Sequence, residues 1–139
     1  MGEVNFTPNA PIAAQTNDTV TYKLNKEQAA PINKCGFDLQ SANSIMVEVP
    51  KNNKDGSFIL GTTRRYNMAN DDIQTRDYCA FDGKNITSTQ VIENLDLGNT
   101  PDTNIVTKCD VKPNNKTIEF NCRNSNDSIY GLHYFQNKE

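Results

Sequence analysis

The sequence predicts a mainly β, single-domain fold: an antiparallel β-sandwich or small open barrel with one short helix and two disulfides. Three observations carry that expectation. Apolar and polar residues alternate over short stretches, breaks rich in Gly, Pro and Asn separate those stretches, and the chain holds four cysteines. Its 139 residues suit one domain. Only 35% of them are apolar, there is no Trp, and the mean hydropathy is −0.72. Globular domains are usually richer in apolar residues, so cross-links that restrict the unfolded chain would matter here. Asparagine, with 20 copies, fits a chain rich in turns.

Residues 1–18 are rich in Asn, Pro and Thr without periodicity and read as a flexible N-terminal tail, leaving 19–139 as the disulfide-stapled domain. Thr19 to Leu24 alternates and reads as a strand. Asn25 followed by Gln28 has the form of a capping box opening a short helical turn, which Pro31 ends. Ile45–Val49 and Ser57–Gly61 flank a polar loop and read as a hairpin whose strands are covered on both faces, with Asp55-Gly56 supplying a positive-φ turn. Tyr66 to Arg76 is polar enough to read as loop, and Asp77–Phe81 as a short strand stopped by Asp82-Gly83. Thr87 with Gln90, then Val91, Ile92 and Leu95, then Gly98, predicts the helix over about 88–97. Ile129 to Phe135 reads as the final strand.

The cysteines favour disulfides over metal. Cys35, Cys79, Cys109 and Cys122 are separated by 43, 29 and 12 residues, so neither the close pairs of a zinc site nor a redox C-x-x-C is present. Four unrelated buried thiols are the alternative. Ile105–Lys112 and Lys116–Cys122 alternate on either side of Pro113-Asn114-Asn115, which predicts a hairpin. A loop at Asn114-Asn115 places Cys109 opposite Phe120, with Cys122 one diagonal away. A loop centred on Asn115-Lys116 places it opposite Cys122. Both registers keep the cysteines on one face, so Cys109 is expected to bond Cys122 and, by elimination, Cys35 to bond Cys79.

Disulfides imply an oxidising compartment, so the protein is expected to be periplasmic or secreted. Met1-Gly2-Glu3 has neither the basic start nor the apolar stretch of a leader, which on its own would say cytoplasm. The cysteines favour a mature domain separated from its leader, with Met1 and Gly2 left from cloning. No apolar run is long enough for a membrane-spanning helix, and a net charge of −3 with scattered basic residues argues against nucleic acid.

Catalytic signals are absent. His133 is the only histidine and reads as an exposed strand residue; no nucleophile or zinc motif accompanies it. The pair Asp71 and Asp72, with Asp77 nearby, and the pair Asp96 and Asp102 resemble calcium-binding oxygen clusters in type but not in spacing. They read as solvated loops. Five Asn-X-Ser/Thr sites, at Asn5, Asn17, Asn85, Asn115 and Asn126, would be glycan candidates in a secreted eukaryotic protein. The expected function is therefore a non-enzymatic extracytoplasmic binding protein of the inhibitor or immunity type, without cofactor or metal. Its partner would be another protein, and a monomer is the expected state. The competing expectation is a surface or pilus (adhesin-type) subunit that self-assembles or binds a host ligand.

Overall fold

The computed structural model describes residues 8–68, 71–95, 104–114 and 117–125. Eight antiparallel strands form one sheet in simple sequential order: β1 (Ile12–Gln15), β2 (Thr19–Lys23), β3 (Ser44–Pro50), β4 (Phe58–Met68), β5 (Asp71–Phe81), β6 (Ile86–Asn94), β7 (Asn104–Asn114) and β8 (Thr117–Ser125). The fold is thus mainly β, as expected: eight antiparallel strands in one hydrogen-bonded sheet, one short helix and two disulfides. A short helix α1 (Lys26–Ala29) and a 3-10 turn (Ala30–Ile32) lie between β2 and β3. No helix among the described residues is long and apolar enough to cross a membrane.

The helix forms where the capping box predicts it. The Asn25 side chain accepts from the Gln28 backbone N–H at 2.8 Å, and the Gln28 side chain accepts from the Asn25 N–H at 3.0 Å. Pro31 lies in the 3-10 turn that follows. The chain then runs across one face of the sheet, where Leu24, Ala29 and Cys35 are buried against Ile45, Val47, Val49, Phe58, Leu60 and Cys79. Tyr78, Val91 and Val106 are buried on the opposite face, with Met46 and Ile59 packed beside them. One face of β3 and β4 is buried at Ile45, Val47, Val49, Phe58 and Leu60, whereas Met46 and Ile59 on the other face are only partly buried.

Both disulfides lie on one transverse row of that first face. The register runs Val47, Leu60, Cys79, Ser88, Cys109 and Cys122 across six strands. Cys79 bonds Cys35 in the covering segment, and Cys109 bonds Cys122 directly opposite it. Asn114 pairs with Thr117 and Cys109 with Cys122, which is the second of the two expected registers.

Three expectations are corrected. The stretch expected to be helical over 88–97 is strand through Asn94, as β6, with Val91 and Glu93 both buried on one face. Tyr66 to Arg76 is not loop: β4 and β5 pair along their whole length, from Phe58 with Phe81 to Met68 with Asp71. Within the segment read as tail, Ile12–Gln15 pairs with β2 as β1, interrupted by a bulge between Ile12 and Ala14. The strand expected over Ile129–Phe135 lies outside the described residues.

Candidate functional site

One end of the sheet gathers a tight turn, several strand ends and two cavities. The turn Asp82–Asn85 joins β5 to β6. Asp82 Oδ1 accepts the backbone N–H groups of Asn85 at 2.7 Å and Lys84 at 2.9 Å, which together hold its carboxyl below the usual range. Gly83 has φ +96 and lies so close to Asp55 that an added Cβ would come within 2.9 Å of it. The β3–β4 loop is thereby packed onto this turn, and only glycine fits there.

The cavities share Asp82. The first, about 250 Å3, is walled by Pro50, Ile59, Ala80 and Phe81, with Thr19 and Glu48 also lining it. The second, about 500 Å3, is polar and carries both charges, from Lys84 and Lys112 and from Asp82 and Asp110. Val111 also lines this second cavity and stands directly opposite Phe120 of β8. Phe120 is 47% exposed, and Ile118, two residues back on the same face, is 39% exposed. Alternation in the sequence reveals which face these residues share. It carries no signal for whether anything covers them.

The acidic residues considered as cation ligands are placed differently. Asp72 sits in β5, where Arg65 Nε donates to Oδ1 at 3.0 Å and a terminal guanidinium nitrogen to Oδ2 at 2.6 Å. That hydrogen-bonded arginine holds the Asp72 carboxyl below the usual range. Asp71 lies at the start of β5, paired with Met68. Asp96, Asp102 and His133 lie outside the described residues, as do Asn5, Asn115 and Asn126. Asn17 and Asn85 are exposed. Among the described residues, no three His, Cys, Asp or Glu side chains stand close enough to hold a metal ion.

Three polar contacts inside the sheet escape sequence reading. Arg76 Nε donates to Glu93 Oε1 at 2.9 Å, and Gln74 Nε2 donates to the same oxygen at 3.2 Å. On the other face, Gln90 Nε2 donates to Asp77 Oδ1 at 3.0 Å. Burial pushes the Asp77 carboxyl up, against the smaller opposing effects of Gln90 and the Arg64 charge. A carboxyl raised in this way binds its proton more tightly in the fold. Its contribution to stability is complete below the unfolded value and is lost as pH rises through the folded one. Asp77→Asn, which keeps an oxygen for Gln90, is expected to melt above the parent at pH 7. The gap should close as pH falls below 3.8, the ordinary value for the group. A gap that ignores pH, or a parent that melts higher at pH 7, would reject burial of the charge as the cause.

No protein-family model matches the chain, and neither a curated protein nor a solved structure matches it. What defines its class is the architecture itself, a sequential antiparallel sheet stapled by two disulfides. The functional reading rests on the surface just described.

Proposed function

We propose that this chain is a non-enzymatic binding protein of the inhibitor or immunity type, acting in the periplasm or outside the cell. It engages another protein through the β7–β8 hairpin and the adjoining β5–β6 turn. The exposure of Phe120 and Ile118 on one face of the last described strand is the observation that carries this reading. Large apolar side chains beside a polar rim of both charges are the usual make-up of a protein-binding patch. The hairpin is held by the Cys109–Cys122 bond, so the patch loses little conformational freedom on binding. Asp72, Asp77, Asp82 and Glu93 each bond a structural partner, which supports a scaffold role for them over a catalytic one.

The test is affinity capture from the periplasmic or secreted fraction of the source cells, with wild type and Phe120→Asp immobilised side by side. A stoichiometric partner should bind wild type and bind the variant at least thirtyfold more weakly, as expected of a central aromatic anchor. The variant should keep both disulfides and its melting temperature, because the position is half exposed. Equal retention by both proteins, or none by wild type, would reject the proposal.

Self-assembly as a surface or pilus subunit is favoured by one different observation. Among the described strands, β1 and β8 each pair on one side only, and Ile12 of β1 is 58% exposed. Open edges of this kind invite strand addition. Light scattering separates the readings: mass that rises with concentration supports assembly, and a monomer at every concentration excludes it.

A further inference from the structure

The two disulfides share a row of the sheet but differ in what a reductant can reach. Cys35 and Cys79 are 3% and 0% exposed, inside the main apolar cluster. Cys109 is 8% exposed, whereas its partner Cys122 is exposed on β8. Thiol–disulfide exchange begins when a thiolate attacks one sulfur of the bond, so access to that sulfur governs the rate. Cys122 offers an approach that Cys35 and Cys79 deny.

What the two bonds hold also differs. Cys79 ties β5 to a segment outside the sheet, between the 3-10 turn and β3. Cys109 and Cys122 belong to strands already paired rung by rung, from Val106 with Ser125 to Asn114 with Thr117. Opening that bond leaves the hydrogen-bonded ladder in place, so the fold survives it. The ladder alone holds less firmly. Among the described strands β8 pairs with β7 only, and an edge strand of this kind opens locally more readily than a central one. Phe120 lies two residues from Cys122, on the same face and opposite Val111.

We propose that Cys109–Cys122 is a redox switch on the β7–β8 hairpin, opened in the folded protein by a dithiol reductant, and that its opening weakens partner binding. One thiolate of the dithiol attacks Cys122 Sγ, the bond to Cys109 breaks, and Cys109 leaves as a thiolate that takes up a proton. The second thiolate attacks the reductant's sulfur in the mixed disulfide and displaces Cys122, which is protonated in turn. Two electrons pass to the protein, both thiol protons end on its cysteines, and the reductant ends as a disulfide. The inference rests on the partner-binding function proposed above and names the regulation of that surface. With the bond closed, the strand carrying Phe120 is ordered before binding; with it open, binding must order that strand first.

The experiment treats the full chain with dithiothreitol under native conditions, caps the thiols with iodoacetamide and maps them by mass spectrometry. Cys109 and Cys122 should be labelled about tenfold faster than Cys35 and Cys79, or faster still. At that stage circular dichroism should still show the folded sheet, and hydrogen exchange should quicken at the Phe120 amide but not at Leu60. Partner capture then compares wild type with two opened forms, the double variant Cys109→Ala with Cys122→Ala and the wild type capped at those two cysteines. Each opened form should bind about tenfold more weakly, and having two forms guards against a variant that does not fold. Equal labelling of the two pairs, earlier labelling of Cys35 and Cys79, or loss of the folded signal as the first bond opens would overturn the inference. Selective reduction with unchanged capture sinks the switch and leaves the partner-binding function standing. No capture by wild type rejects that function, and the switch falls with it.

Discussion

Replacing Cys35 and Cys79 together by alanine is expected to lower stability by about 4 kcal/mol, more than any loss from opening the other disulfide. The bond joins residues 44 apart in sequence. Closing a loop of that length removes unfolded-state entropy worth about 4 kcal/mol by the chain-entropy estimate, against about 3 kcal/mol for the 13-residue separation of Cys109 and Cys122. Packing adds to the difference. Cys35 and Cys79 are 3% and 0% exposed within the main apolar cluster, whereas Cys122 is exposed. The bond also fixes the segment that carries Leu24, Ala29 and Phe37 onto the sheet, so its loss loosens the cover over Val47 and Leu60. A drop in melting temperature of roughly 10–20 °C should follow for a chain of this size. Alanine is the better replacement, because serine would bury hydroxyls and add their desolvation cost. Thermal melts of the two double variants, Cys35→Ala with Cys79→Ala and Cys109→Ala with Cys122→Ala, make the comparison. A hairpin variant as unstable as the other would show that loop length and burial do not set the order.

The disulfide pairing was legible because alternation is a strong signal where one face of a strand is apolar. Ile105, Cys109 and Val111 on one strand and Ile118, Phe120 and Cys122 on the next fix the register to within one rung, and the observed pairing of Cys109 with Cys122 is one of those rungs. The capping box at Asn25 was legible for a similar reason, since it depends on two side chains three residues apart. Strand β6 was not. Val91, Ile92 and Leu95 lie at helical spacing, and the residue that would have revealed strand alternation, Glu93, is charged. It is nonetheless buried beside Val91, because Arg76 on β5 supplies its counter-charge. The same pairing explains the misreading of Tyr66 to Arg76. Arg65 with Asp72 and Arg76 with Glu93 satisfy charges across strands, and a one-dimensional pattern registers such residues only as polar. The candidate surface was partly legible: its strands and faces could be read, but its cavities depend on Ala80, Glu48 and the 82–85 turn meeting in space.

That buried pair leads to the second large effect. Glu93→Ala is expected to cost about 3–5 kcal/mol, the range for leaving one member of a buried ion pair without its partner. Glu93 is 3% exposed and Arg76 11%, so water reaches neither side chain well. Without the carboxylate, the Arg76 guanidinium loses its bonds at 2.9 and 3.2 Å and keeps only its 3.2 Å bond to the Tyr78 hydroxyl, while Gln74 loses its bond to Glu93 as well. Glu93→Gln keeps the shape but removes the charge, and should lie between parent and alanine. Replacing both residues together, Arg76→Met with Glu93→Leu, removes the stranded charge along with its partner. It should therefore recover most of the loss, because Val91 and Val106 already supply an apolar neighbourhood on that face. Urea unfolding of the four proteins reads the sequence directly. The decisive comparison is between the double variant and Glu93→Ala: a double variant less stable than Glu93→Ala would mean that the pair itself, and not the isolated arginine, accounts for the stability of this face.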